Sequence, residues 1–161
     1  MERRESAAPR ASRRSRMKLL NQKQLATLLV ILGTVPFVVF TLALAGLTPL
    51  RFPTTPALML HVYGVIIGCF VAGLHWGIHF CKRTSDSVYV SSSFVALLLW
   101  CSMWAAGSTL GLALVLLGYA LLWLVEYRLS VQRVTTAWFW KLRSAVSAVV
   151  VLCLAVAILL V

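Results

Sequence analysis

Long uncharged apolar runs separated by short polar breaks dominate the chain. Leu25 to Leu47 holds 23 residues without a charge, and about 20 helical residues suffice to cross the ~30 Å hydrocarbon layer of a bilayer. A first membrane span is expected there, kinked at Pro36, because proline removes the helical bond to the carbonyl of Leu32. The segment Thr48 to Pro56 carries three prolines and cannot be helix throughout. A second span follows over 57–80, closed by Lys82, Arg83 and Asp86. From Val88 to Val125 there are 38 uncharged residues, which as one helix measure about 57 Å at 1.5 Å per residue. That overshoots any bilayer. The chain must turn back, and Gly107-Ser108 is the turn-like point near the middle, giving spans over 88–106 and 109–125 as a tight hairpin. A polar, aromatic connector from Glu126 to Arg143 then precedes a fifth span over 144–161. The expected fold class is all-α: a polytopic integral membrane protein with five transmembrane helices in residues 25–161, preceded by a basic disordered tail over 1–24.

Composition agrees and sets an orientation. With 61% hydrophobic and 12% charged residues, a water-soluble fold is excluded. Fifteen Lys and Arg oppose four Asp and Glu for a net charge of +11. Eight of those basic residues precede Leu25, in a segment with too few large apolar residues to bury anything. That tail is basic and Ser-rich like a transit peptide, although Glu2 and Glu5 run against the acid-poor rule, and Met17 is an alternative start. The first span resembles a signal peptide but exceeds the usual 7 to 15 apolar residues, so an uncleaved anchor is expected. Anionic lipid head groups, not nucleic acid, are the partners such a charge suits, since the apolar remainder offers no basic face. Positive residues are retained on the cytoplasmic side of spans. With the N-terminus inside, the inner segments hold eight, two (Lys82, Arg83) and four (Arg128, Arg133, Lys141, Arg143) basic residues against Arg51 alone outside. The C-terminus is therefore expected outside, in a bacterial inner membrane or, in a eukaryote, the mitochondrial inner membrane.

The chemistry concentrates in GVIIGCFVAGLHWGIHF, Gly64 to Phe80. At 100° per residue, Gly68, His75, His61 and His79 all fall within about 60° of Gly64, so one face holds every histidine. Gly73 and Gly77 fall on the opposite face, at about 180° and 220°. Four glycines, Gly64, Gly68, Gly73 and Gly77, thus suggest a central helix approached closely on both sides. Histidine within a span is a functional hypothesis by default. His61 and His79 lie near opposite interfaces and are expected to reach head groups, whereas His75 needs a protein partner. Spans two and four run in the same direction, so His75, His79, Ser92 and Glu126 meet at the inner end as a candidate polar site, a vestibule for a small polar ligand. Trp138, Trp140 and Arg143 are expected as interface anchors. Neither metal nor cofactor is expected. His75 and His79 have the i, i+4 spacing of a metal pair but lack a third ligand. The His61 to His75 separation is similar to that of stacked haems, yet no histidine lies on another span. The four cysteines show no C-x-x-C spacing and read as small hydrophobes. No nucleophile stands beside the histidines, so no catalytic residue is assigned.

The segments GTVPF (Gly33 to Phe37), YGVIIGCFVAGLHWG (Tyr63 to Gly77), LGYALLWLVEYRL (Leu117 to Leu129) and WFWKLR (Trp138 to Arg143) resemble the transmembrane protein 69-like proteins, domain-of-unknown-function family 3429. The resemblance covers roughly Leu32 to Leu159 and departs at His61 and in the Arg-rich tail. It implies a multi-spanning protein of bacterial inner membranes or mitochondria, with no known activity, cofactor or catalytic residue. The function expected is non-catalytic, through interactions within the bilayer in the assembly or stability of membrane proteins, with self-association or other membrane proteins as partners. The alternative is a small carrier or an ion- or proton-conducting protein using the His75/His79/Glu126 vestibule.

Overall fold

The computed structural model describes residues 22–82 and 84–161. Most of the basic tail, Met17 and Arg83 lie outside the described residues. The elements are α1 (22–32), α2 (Val35–Leu44), α3 (Pro56–Lys82), α4 (Ser87–Ser102) prolonged by a 3-10 turn (Met103–Ala105), α5 (Thr109–Val131) and α6 (Ala137–Leu160). No strand occurs among the described residues. Five stretches are long and apolar enough to cross a membrane: Gln22–Leu44, Pro56–Lys82, Ser87–Ala105, Thr109–Val131 and Ala137–Leu160. The first begins at Gln22, inside the stretch expected as tail. Its helical pattern gives way to a turn at Gly33–Thr34, and Pro36 falls in the first turn of α2, where a missing N–H is harmless.

In the unit formed by residues 34–161, consecutive helices pack on one another from α2 to α6. α2 also packs on α6, and α3 touches α5 directly. The core follows from where small residues let large ones in. A Cβ on Gly68 would lie 2.6 Å from Leu99 Cδ1, and one on Gly118 would lie 2.7 Å from Leu99 Cδ2. Leu99 of α4 is therefore gripped between glycines of α3 and α5. Above it, Phe37 of α2 meets Tyr63 and Tyr119 edge-on at 5.1 and 5.9 Å between ring centroids, and the Tyr119 hydroxyl donates to Gly64 O at 3.1 Å. Thr41 closes α2 onto α6 by donating to Phe37 O at 2.8 Å and reaching Cys153 O at 3.4 Å.

The turns explain the hairpins. Gly107 has φ +76, a left-handed conformation that glycine adopts without a Cβ clash, and Ser108 caps α5 by accepting from Gly111 N at 3.2 Å. The expected hairpin at Gly107-Ser108 is thus present. The next connection differs from expectation. α5 continues to Val131 instead of stopping at Val125, and α6 starts at Ala137 instead of Ser144, leaving a connector of residues 132–136. The physical reason is that Glu126 and Arg143, which set those expected ends as bare charges, pair with each other inside the bundle.

Candidate functional site

Four helices converge at the end of the bundle where α3 and α5 finish, here called the polar end. His75 of α3 is 1% exposed and Glu126 of α5 is 7% exposed. Arg143 of α6 donates to Glu126 Oε1 through Nε at 3.0 Å and through Nη2 at 2.5 Å. A carboxylate this buried is tolerable because the guanidinium beside it cancels the charge and supplies two charge-assisted bonds. Arg143, expected as an interface anchor, is instead the counter-ion of the site.

Ser92 of α4 fixes the imidazole. Its hydroxyl donates to Val88 O at 2.8 Å, one helical turn back, and its oxygen lies 2.9 Å from His75 Nδ1. A serine has one hydrogen to give. With that hydrogen on Val88, Ser92 accepts from Nδ1–H, so Nε2 is the ring nitrogen turned toward Glu126. The Nε2 to Glu126 Oε1 separation is 3.7 Å, longer than a direct hydrogen bond. Among the described residues, His75 Nε2, Glu126 Oε2 and the hydroxyl of Thr135 have no hydrogen-bond partner. All three residues line one pocket, of about 270 Å³ with its open mouth included, walled otherwise by Leu74, Ile78, Leu129, Phe139, Trp140 and Arg143.

Of the expected site, the fold brings together His75, Ser92 and Glu126 and leaves His79 aside. His79 Nδ1 is 3.2 Å from Thr84 Oγ1 and its Nε2 is 3.8 Å from Asp86 Oδ1, in the loop after α3. The serines on either side of Ser92 also bond their own backbone: Ser91 donates to Ser87 O, and Ser93, which donates to Tyr89 O at 2.8 Å, also accepts from Trp76 Nε1 at 3.2 Å. Trp140 is half-buried against Trp123 and Tyr127, and Trp138 is 38% exposed. Two participants were not anticipated. Thr135 sat in a segment read as connector, and the role of Arg143 was legible only as an opposite charge to Glu126 across two uncharged flanks.

The other end of α3 corrects a second expectation. His61 does not reach the interface; it is fully buried, with Nε2 3.1 Å from Ser102 Oγ. Its ring lies against the first turn of α5, where a Cβ on Gly111 would come within 2.6 Å of His61 Cε1 and 2.2 Å of Ala105 O. Nor is α3 approached closely on both faces. Gly64 and Gly68 pack within the chain, whereas Gly73 and Gly77 have nothing within 4 Å among the described residues. α2, α4 and α5 pack on the histidine side, and no described residue covers Gly73 or Gly77 on the opposite face. No group of three or more His, Cys, Asp or Glu able to hold a metal occurs among the described residues.

Five membrane-length apolar helices define an integral membrane protein of the all-helical class, and four of them supply the buried imidazole, serine, carboxylate and guanidinium of the polar end. The family model for DUF3429, a protein of unknown function, matches residues 22–159, and the chain belongs to that family. No curated protein and no solved structure matches the chain.

Proposed function

We propose that this protein acts without catalysis, by lateral contact with another membrane protein through the open face of α3, in the assembly or stability of that partner. The observation that supports this reading is the pair Gly73 and Gly77, which have nothing within 4 Å among the described residues and are flanked by Ile66, Phe70 and Phe80 at 58, 72 and 69% exposure. Lipid tails are as apolar as side chains, so helices in a bilayer associate by close packing, and small residues four apart let two backbones approach. Each helical glycine also costs about 0.5–1 kcal/mol against alanine, and contact with a neighbouring helix offsets that cost where contacts within the chain do not. Against the carrier alternative stands the filling between His75 and His61, where Val71, Ala72, Val95, Leu99 and Leu122 are buried apolar residues.

A photo-crosslinking residue at position 73, in native membranes, tests the reading against one at Leu152, which is 64% exposed on α6. Position 73 is expected to give a discrete adduct with another membrane protein, suppressed by Gly77→Leu, while position 152 gives lipid adducts. Adducts with lipid alone from both positions, or adducts only with a second copy of this chain, overturn it. The same proposal sets the polar end on the cytoplasmic or matrix side of a bacterial or mitochondrial inner membrane. A reporter active only outside that compartment is expected to work when fused after Val161 and to be silent after Arg133.

A further inference from the structure

We infer that the pocket at the polar end is a binding site for one small neutral hydrogen-bond donor: a water molecule, or a hydroxyl-bearing lipid head group of the same chemistry. The inference is independent of the lateral contact proposed for Gly73 and Gly77.

It rests on counting hydrogens. Ser92 already receives Nδ1–H, so in the neutral ring of His75 the Nε2 atom is a bare acceptor. Glu126 Oε1 takes both Arg143 bonds, which leaves Oε2 as a second bare acceptor. Two buried acceptors on residues that line one pocket have no donor, and a buried polar group left unsatisfied is costly. Thr135 adds a hydroxyl, able to give one hydrogen or take one, and it too has no partner among the described residues. The missing component is a molecule with two donors and an acceptor. Water supplies them, donating to His75 Nε2 and Glu126 Oε2 and accepting from Thr135.

Size and charge narrow the class further. The clear space among the lining side chains is on the scale of one water molecule. Arg143 from α6 cancels Glu126 from α5, Ser92 from α4 is neutral, and no other charged side chain lines the pocket. A neutral guest therefore fits where an ion leaves an uncompensated charge. Leu74, Ile78, Leu129, Phe139 and Trp140 make the remaining wall apolar, so a diol head group on an acyl chain presents hydroxyl donors to the same acceptors with its tail among apolar side chains.

The full chain in phosphatidylcholine nanodiscs, labelled with ¹⁵N-histidine, provides the test. Magnetisation transfer from water to a non-protonated His75 Nε2 is expected, lost in Thr135→Val and restored in Thr135→Ser. Repeating the measurement with monooleoylglycerol added separates the two sources. Transfer from glycerol hydroxyls that displaces the water signal, with a matching adduct in native mass spectrometry, assigns the site to the lipid head; an unchanged water signal assigns it to water. An Nε2 that carries its own proton, a dry Nε2, or a signal unaffected by Thr135→Val overturns the inference.

Discussion

His75 and His61 stand on one face of α3, both wholly buried and both bonded to a serine of α4, yet they are held in opposite ways. Ser92 gives its hydrogen to Val88 O, and Ser102 gives its own to Leu99 O at 2.6 Å. Each serine oxygen must then accept from its histidine. For His75 the bonded nitrogen is Nδ1, and for His61 it is Nε2, so the serines select opposite tautomers of a neutral ring at the two positions. The free nitrogen of His75 lies 3.7 Å from the Glu126 carboxylate, and His75, Glu126 and Thr135 line one pocket. The free Nδ1 of His61 is pressed against Gly111. One histidine is poised over a pocket and the other is a wedge between helices. The difference teaches that residue type and helical face do not decide a role; what the neighbouring helix places opposite the second nitrogen does.

Breaking the polar end at its charge pair is expected to have the largest effect. Glu126→Leu strands Arg143, and loss of one partner of a buried pair costs about 3–5 kcal/mol. Thermal unfolding in nanodiscs checks this, and adding Arg143→Leu is expected to recover much of the loss. If His61→Leu proves as damaging as Glu126→Leu, the two ends are energetically alike and the contrast fails.

The wedge end breaks by steric means. Gly111→Ala drives a methyl against the Ala105 carbonyl, which no rotamer change relieves, and overpacking of this kind costs about 1–3 kcal/mol. Gly64→Ala meets a Val115 methyl group at 3.0 Å and the Phe37 ring at 3.7 Å, with no backbone atom in the way, and should cost less in the same melt.

A finer comparison uses double-mutant cycles. His75→Ala and Glu126→Gln share a pocket, and their combined effect is expected to depart from the sum by more than about 0.5 kcal/mol. His61→Ala with Glu126→Gln should add within that margin, because their sites lie about 20 Å apart along α3. Additivity in both cycles would dissolve the polar site into separate residues. The smallest effect is expected at Gly73→Ala, whose added methyl meets no described residue within 4 Å; replacing an exposed helical glycine should leave the stability unchanged or raise it by up to about 1 kcal/mol.

Much of the architecture was legible because the bilayer imposes a length on every element. An uncharged run too long for one crossing forces a hairpin, and Gly107 marks it. Span ends were less legible: Glu126 and Arg143 looked like water boundaries, since a sequence cannot show that two charges 17 residues apart face each other. His75 and Ser92 were placed in one cluster from helix direction alone, while Thr135 carried no periodic signal.

The sequence by itself determined that five apolar helices form, that the histidines share a face of α3 and that a polar group sits at one end, because hydrophobic length and the 3.6-residue period are local properties. Tertiary structure alone decided which glycines touch a neighbour, which nitrogen of each histidine is bonded, and that Arg143 belongs to Glu126. Those outcomes depend on which helix packs against which, and packing is a relation between segments distant in the chain that no local pattern encodes.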